Sequence, residues 1–349
     1  MAAVLVVGAV LGAAFVPTPY VLVQPGSVRE AEPKVSVEGA ETYDSDGAVM
    51  FTTVFVDDAT VFGLVRGALD DAVEVRSTEE VYGDRGRDET RRINQQEMDL
   101  SKLVAELEAL SYLGYDARFA ADGVRIVDVD PDVPAAAELQ PGDVVTSVDG
   151  DPVTLPEELR AALAASSPGD VVTLGVQRAV IGDGESAAGG ETPTEELALE
   201  VELTAASDPA DDGASRAVLG VVVEPFGPRI ESDVEISIDS GQVTGPSAGL
   251  AWSLAIIDVL TPGSLTDGRD VAVTGEILTD GSVGVIGGTA QKTATVARNG
   301  IDVFLYPAAT PAEEQQEMRR IAGDDLELVP VATLDEAVDF LAPGGLGGG

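Results

Sequence analysis

Thr244-Gly245-Pro246-Ser247-Ala248-Gly249-Leu250 opens a mostly apolar run that continues from Ala251 to Leu260. Pro246 suits the first turn of a helix, and Gly245 suits a tight bend before it. The stretch therefore predicts a helix with Ser247 at its N-terminus, where free backbone N–H groups face whatever the hydroxyl attacks. A serine there is also an ordinary helix cap, and on this stretch alone the cap is the stronger reading. The rest of the chain decides between them.

Composition narrows the chemistry. The 349 residues are 44% hydrophobic, enough for two or three domains with real cores, yet only 4% are aromatic. Those cores are built mainly from Val, Leu and Ala. A formal charge of −42 repels phosphate backbones and argues against a nucleic-acid partner. The same acidity suits solubility or a saline habitat. Cysteine is absent, which excludes thiol nucleophiles, disulfides and cysteine zinc sites. Histidine is absent too, so a Ser-His-Asp triad and the His-containing zinc sites are excluded. No metal or other cofactor is expected.

A serine nucleophile here needs another base, and lysine is the available one. Only Lys34, Lys102 and Lys292 exist, and the other seventeen of the 20 basic residues are arginine. Arginine keeps its proton at neutral pH, whereas a buried lysine can lose one. Lys102 reads as a surface residue paired with Glu106, four positions on. Lys292 follows Gly287-Gly288-Thr289-Ala290-Gln291 and falls in the first turn of a helix predicted over 289–298. The helix dipole already supplies positive charge there, so position and burial both push its pKa down. A lysine disfavoured as a cation is what a general base requires.

Ala2 to Val16 is almost wholly apolar, and the charge-free run extends to Val23 with Pro17 and Pro19 inside it. Residues 1–23 are expected to be a transmembrane anchor, with a cleaved signal segment ending near Gly12-Ala13-Ala14, or a buried soluble helix, as rivals. The acidic chain beyond places the body outside the membrane. Residues 24–110 read as an α/β region: strands at 36–37 and 49–56, helices at 61–69 and 98–110, and a solvated connection over 79–97. Leu100, Leu103, Val104, Leu107 and Leu110 mark the apolar face of the second helix.

From Ser111 the pattern changes. Tyr112-Leu113-Gly114-Tyr115 precedes strands, then Val133-Pro134-Ala135, Leu139-Gln140-Pro141-Gly142-Asp143-Val144-Val145 and Val148-Asp149-Gly150. Thr154-Leu155-Pro156-Glu157 reads as a capping box opening a helix to Ala165. Strands are expected at 170–176 and 196–204, with a Gly/Glu/Ser-rich loop over 182–194 between them. Residues 111–205 resemble a PDZ domain. The resemblance implies β-augmentation by a peptide C-terminus beside 115–119, its carboxylate held by amides near Leu113, Gly114 and Tyr115. A spacer that binds nothing is the alternative.

After a small, acidic linker over 206–215, strands and helices alternate from Arg216 to Leu341. Gly245-Pro246-Ser247-Ala248-Gly249, Val273-Thr274-Gly275-Glu276-Ile277 and Val285-Ile286-Gly287-Gly288 with Lys292 resemble, in order, the proteolytic domain of Lon proteases. The whole chain thereby resembles the membrane-anchored PDZ–Lon proteases, which lack an ATPase module. The resemblance implies a Ser-Lys dyad, with Ser247 as nucleophile and Lys292 as base. Thr274 would fix the lysine by a hydrogen bond, Glu276 would lend structural support, and amides at Ser247 and Ala248, after the bend at Gly245, would bind an oxyanion.

The chain is thus read as α/β and α+β multidomain: a segment over 1–23, an α/β region over 24–110, a PDZ-like β domain over 111–205, a linker over 206–215 and a Lon-type proteolytic α/β domain over 216–349. No Walker A motif is present, because Gly288-Thr-Ala-Gln-Lys-Thr293 lacks the glycine before lysine. The expected function is an ATP-independent serine endopeptidase at the outer face of a membrane. Its expected partners are unfolded protein segments or C-terminal tails, and a homo-oligomer is left open. A PDZ-bearing scaffold whose Lon-like domain is silent is the alternative. A small-molecule kinase is a weaker third reading, because no second Gly-rich loop accompanies the first.

Overall fold

The computed structural model describes residues 16–179, 194–206 and 216–346, a mixed α/β chain in two compact units. One unit combines the described residues up to Ala117 with those from Ser232 onward, and the other is Arg118–Glu231.

In the first unit β1 (Pro17–Glu30), β2 (Val35–Glu38) and β3 (Ala48–Thr60) lead to α1 (Val61–Gly67), β4 (Glu74–Ser77) and the long helix α2 (Gly86–Tyr112). β1 lies antiparallel between β3 and β4, with Val21 and Leu22 buried. This corrects the membrane reading for 17–23. Pro17 and Pro19 disfavour a helix, and neighbouring strands satisfy the backbone instead. The remainder of that expected segment, 1–15, lies outside the described residues. No helix among the described residues is long and apolar enough to cross a membrane.

The stretch 79–97, expected as a connection, is largely helical: Thr78–Tyr82 forms one turn and α2 begins at Gly86. Its Arg, Glu and Gln residues favour helix without any apolar periodicity. The buried face of α2 also differs from the expected leucine stripe. Met98, Ser101, Ala105, Ala109 and Leu110 are buried, whereas Leu100 is exposed. Small residues win there because another helix approaches closely. Lys102 pairs with Asp99 at 3.3 Å rather than with Glu106, which is itself buried.

The second unit holds β5 (Arg118–Ala120), β6 (Gly123–Val129), β7 (Val144–Val148), α3 (Pro156–Leu163), β8 (Val171–Ala179), β9 (Thr194–Glu202), β10 (Val221–Phe226) and β11 (Arg229–Glu231). Its main sheet runs β9-β8-β7-β6-β10 over a core that includes Ile126, Val145, Leu159, Leu174 and Leu203. The carboxylate that reaches back over the start of α3 is Glu158, not Glu157, and it accepts from Thr154 and Leu155 amides. Most of the expected loop over 182–194, and 207–215 of the expected linker, lie outside the described residues.

From Ser232 the chain adds β12 (Glu235–Ile238), α4 (Gly249–Leu260), β13 (Asp270–Val273), β14 (Glu276–Ile277) and β15 (Val283–Gly284). α5 (Thr289–Arg298), β16 (Val303–Pro307), α6 (Ala312–Ala322), β17 (Glu327–Val331) and α7 (Leu334–Leu341) complete it. The sheet order is β17-β16-β13-β3-β1-β4, with parallel pairing from β17 to β3. β3 thus lies directly beside β13, with Phe51 opposite Val273, and β2 pairs with β12. The structure therefore draws the boundaries differently from a separate 24–110 region and a domain over 216–349. The early strands complete the later sheet, while 221–231 joins the second unit.

α4 fills the centre of the first unit. Trp252 is fully buried and meets Phe51 of β3 with ring centroids 4.8 Å apart. On its other side α2 approaches, and the Ser253 hydroxyl donates to Ala105 O at 3.3 Å. Gly249 makes this approach feasible: a Cβ there would fall 2.8 Å from Ser101 Oγ and 2.9 Å from Ile277 N.

Candidate active site

Three elements carry the functional side chains to one point. The turn before α4 presents Ser247, the end of β13 presents Thr274, and the first turn of α5 presents Lys292. α4 starts at Gly249 with Ala248 as its N-cap, so Pro246 and Ser247 lie just before the helix rather than within its first turn. Glycine is needed at the head of α5. Gly288 has φ +72°, and a Cβ on it would come within 2.9 Å of Val54 Cγ1.

Lys292 Nζ lies 2.7 Å from Ser247 Oγ and 2.9 Å from Thr274 Oγ1. The Thr274 hydroxyl donates to the Ser247 carbonyl at 3.0 Å, and the Gly275 amide donates to the same oxygen at 3.0 Å. The Thr274 amide in turn donates to Leu305 O on β16 at 3.0 Å. Thr274 spends its proton on Ser247 O, so its oxygen is left to accept from Lys292. When the amine is neutral, its lone pair then faces Ser247 Oγ.

Burial makes the neutral amine accessible. Lys292 is 2% exposed, and desolvation lowers its pKa from the usual 10.5 to about 7. Among the described residues no carboxylate pairs with it, and burial is the cause of the shift. Ser247 itself is half-buried and reachable. The amides of Ser247 and Ala248 have no acceptor among the described residues, which suits them to an oxyanion. The trio can therefore deprotonate a hydroxyl, hold it beside two free amides and keep the resulting ammonium dry.

The supporting residues divide. Gly245 sits in the left-handed region, and its amide donates to Asn94 O of α2 at 2.8 Å. Glu276 makes no hydrogen bond to Ser247, Thr274 or Lys292 among the described residues. It lines a groove of about 540 Å³ with Glu97, Leu100, Val104, Pro246 and Leu278. Burial, then the charge of Glu97, raises its carboxyl pKa. Sequence reasoning missed Ser101, whose hydroxyl donates to Pro246 O at 3.1 Å. The available signal was the small pair Ser101 and Ala105, one helical turn apart on α2.

The expected carboxylate loop is corrected. The amides of Leu113 and Gly114 donate to Ala109 O at 3.1 Å and Ser111 O at 3.0 Å, and that of Tyr115 donates to Leu110 O at 2.9 Å. The three residues close the C-terminal end of α2, so these amides are not free to hold a peptide carboxylate.

Residues 226–342 match the family described as the Lon protease (S16) C-terminal proteolytic domain, and residues 111–199 match the PDZ domain family. The chain is 36% identical over 110 residues to Lon protease of Chloroflexus aggregans, covering 31% of this chain and 13% of that protein. It is 35% identical over 115 residues to Lon protease of Xanthomonas oryzae pv. oryzae, covering 32% and 13%. The chain thus spans about an eighth of each of these relatives. Among solved structures, the PDZ domain of an SdrC-like protein from Listeria innocua is 25% identical, with 30% of this chain and 94% of that one covered and a TM-score of 0.22.

Proposed function

We propose that this chain, whose residues 111–199 match the PDZ domain family and 226–342 the Lon protease (S16) C-terminal proteolytic domain, is an ATP-independent endopeptidase working through a Ser247–Lys292 dyad. The observation that carries this reading is the 2.7 Å approach of a buried, near-neutral lysine to a reachable serine hydroxyl.

In the proposed cycle Lys292 Nζ takes the Ser247 Oγ proton as Oγ attacks the scissile carbonyl carbon. The Ser247 and Ala248 amides stabilise the oxyanion. The ammonium then returns its proton to the leaving amine, the C–N bond breaks and an acyl-enzyme remains. Water attacks that ester with Lys292 again accepting the proton, and Ser247 is regenerated. The groove beside Pro246 receives the substrate chain.

Both domains fit protein or peptide substrates. Independence from ATP is supported by the lack of a Walker A motif within this sequence. Action at the outer face of a membrane rests only on the apolar run Ala2 to Val16. Cleavage of casein by the full chain tests the reading. Ser247→Ala and Lys292→Ala should each lower the rate at least about a thousandfold. If either variant keeps the wild-type rate, the dyad is wrong. If the wild type binds peptides and cuts none, the silent scaffold stands instead.

A further inference from the structure

A second acidic pair lies in the first unit, between the β2 region, the 39–47 loop and the last turn of α4. Asp258 is 1% exposed; its Oδ1 accepts from the Leu265 amide at 2.8 Å and its Oδ2 has no hydrogen-bond partner. Glu32, just before β2, accepts from the Val49 amide through Oε1 at 2.6 Å, and its Oε2 is likewise buried without a partner. Each carboxylate therefore uses one oxygen to hold the backbone and keeps one spare. Both residues line the same cavity of about 540 Å³.

Nothing in that cavity neutralises them. Its other charged lining residues are Glu30 and Asp44, and no lysine or arginine contributes among the described residues. Asp258 also sits at the C-terminal end of α4, where the helix dipole adds further negative potential. Burial, with the charges of Asp258 and Glu30, pushes the Glu32 carboxyl up to about 7, and burial raises Asp258 too. The Leu265 amide, and after it the nearby Ser45 hydroxyl, only partly offset this for Asp258. A buried and a half-buried carboxylate, each with a spare buried oxygen and no counter-charge, need either protonation or a cation.

We propose that Glu32 and Asp258 hold a hard divalent cation of the calcium type in this cavity. Oxygen is the only donor offered there, which fits calcium rather than a metal that prefers nitrogen or sulfur. Thr42, Tyr43 and Ser45 also line the cavity, and their oxygens, with water, would complete the coordination shell. No cluster of three or more His, Cys, Asp or Glu ligands occurs among the described residues. With only two anionic ligands, affinity is expected in the weak range of about 0.1–1 mM. The inference stands apart from the peptidase reading.

The test is thermal unfolding of the full chain at pH 8 with calcium titrated at constant ionic strength. Saturation should raise the wild-type Tm by about 5 °C. Glu32→Gln and Asp258→Asn retain the oxygen that accepts the backbone amide but lose the charge. Each should raise the calcium-free Tm and abolish the calcium response. Terbium gives a second readout: Tyr43-sensitised emission should be displaced by calcium and lost in Asp258→Asn. An unresponsive wild type, or variants that respond like it through their general acidity, overturns the proposal.

Discussion

The Ser101 hydroxyl donates to the Pro246 carbonyl at 3.1 Å, across 145 positions of sequence. A helix from the first third of the chain thereby holds the turn that carries Ser247. Ser101→Ala removes a bond worth about 1 kcal/mol and frees that turn. The expected result is a five- to tenfold fall in kcat with little change in KM, while the Tm falls by only a few degrees. Steady-state cleavage of a fluorogenic peptide, beside a melting curve, checks both.

Lys292 should write its titration into the rate. With its pKa near 7, the amine gains base character as pH rises through 7, so acylation should climb across that point and level off above it. The sign for stability is the same. The unfolded lysine keeps its proton to about 10.5, so between 7 and 10.5 the unfolded state binds more protons and stability rises with pH. Lys292→Arg should be inactive at every pH. A pH–rate profile of single-turnover acylation reads the rising limb directly.

Thr274 is the orienting partner of that amine. Thr274→Val keeps the volume but deletes both of its side-chain bonds, at 2.9 Å to Lys292 and 3.0 Å to Ser247 O. A fall in kcat of about 10–100-fold is expected, with the acylation limb displaced. Thr274→Ser should restore most of the rate, which a purely packing role would not require.

In the second unit Asp143 is buried and meets Arg178 at 2.7 Å through Nε and 2.6 Å through Nη2. Arg178→Ala leaves that carboxylate without its partner in the interior. The cost is expected at about 3 kcal/mol, against less than half that for Asp143→Asn with Arg178→Met together. Chemical denaturation of the variants measures it.

Local signals were read well from sequence. The helix over 289–298 falls where the Gly287-Gly288 break puts it. The two catalytic candidates, Ser247 and Lys292, and the supporting Thr274 were legible for a different reason, since each sits inside a short, ordered motif. The shared sheet was not legible. β3 and β13 pair in parallel although more than 200 residues separate Phe51 from Val273, and no local pattern encodes such a partner. The buried face of α2 misled for a related reason. A leucine stripe normally marks the core, but this helix packs through Ser101, Ala105 and Ala109 and leaves Leu100 to the groove. Gly249, on the partner helix, is the reason small residues succeed there.

β5 and β11 pair antiparallel, with Arg118 opposite Glu231. The second unit therefore begins and ends on neighbouring strands, with its two chain ends one strand spacing apart. Its excision, closed by a short Gly-containing turn, is expected to need a link across only that one spacing. A different module whose ends lie equally close would fit the same insertion point.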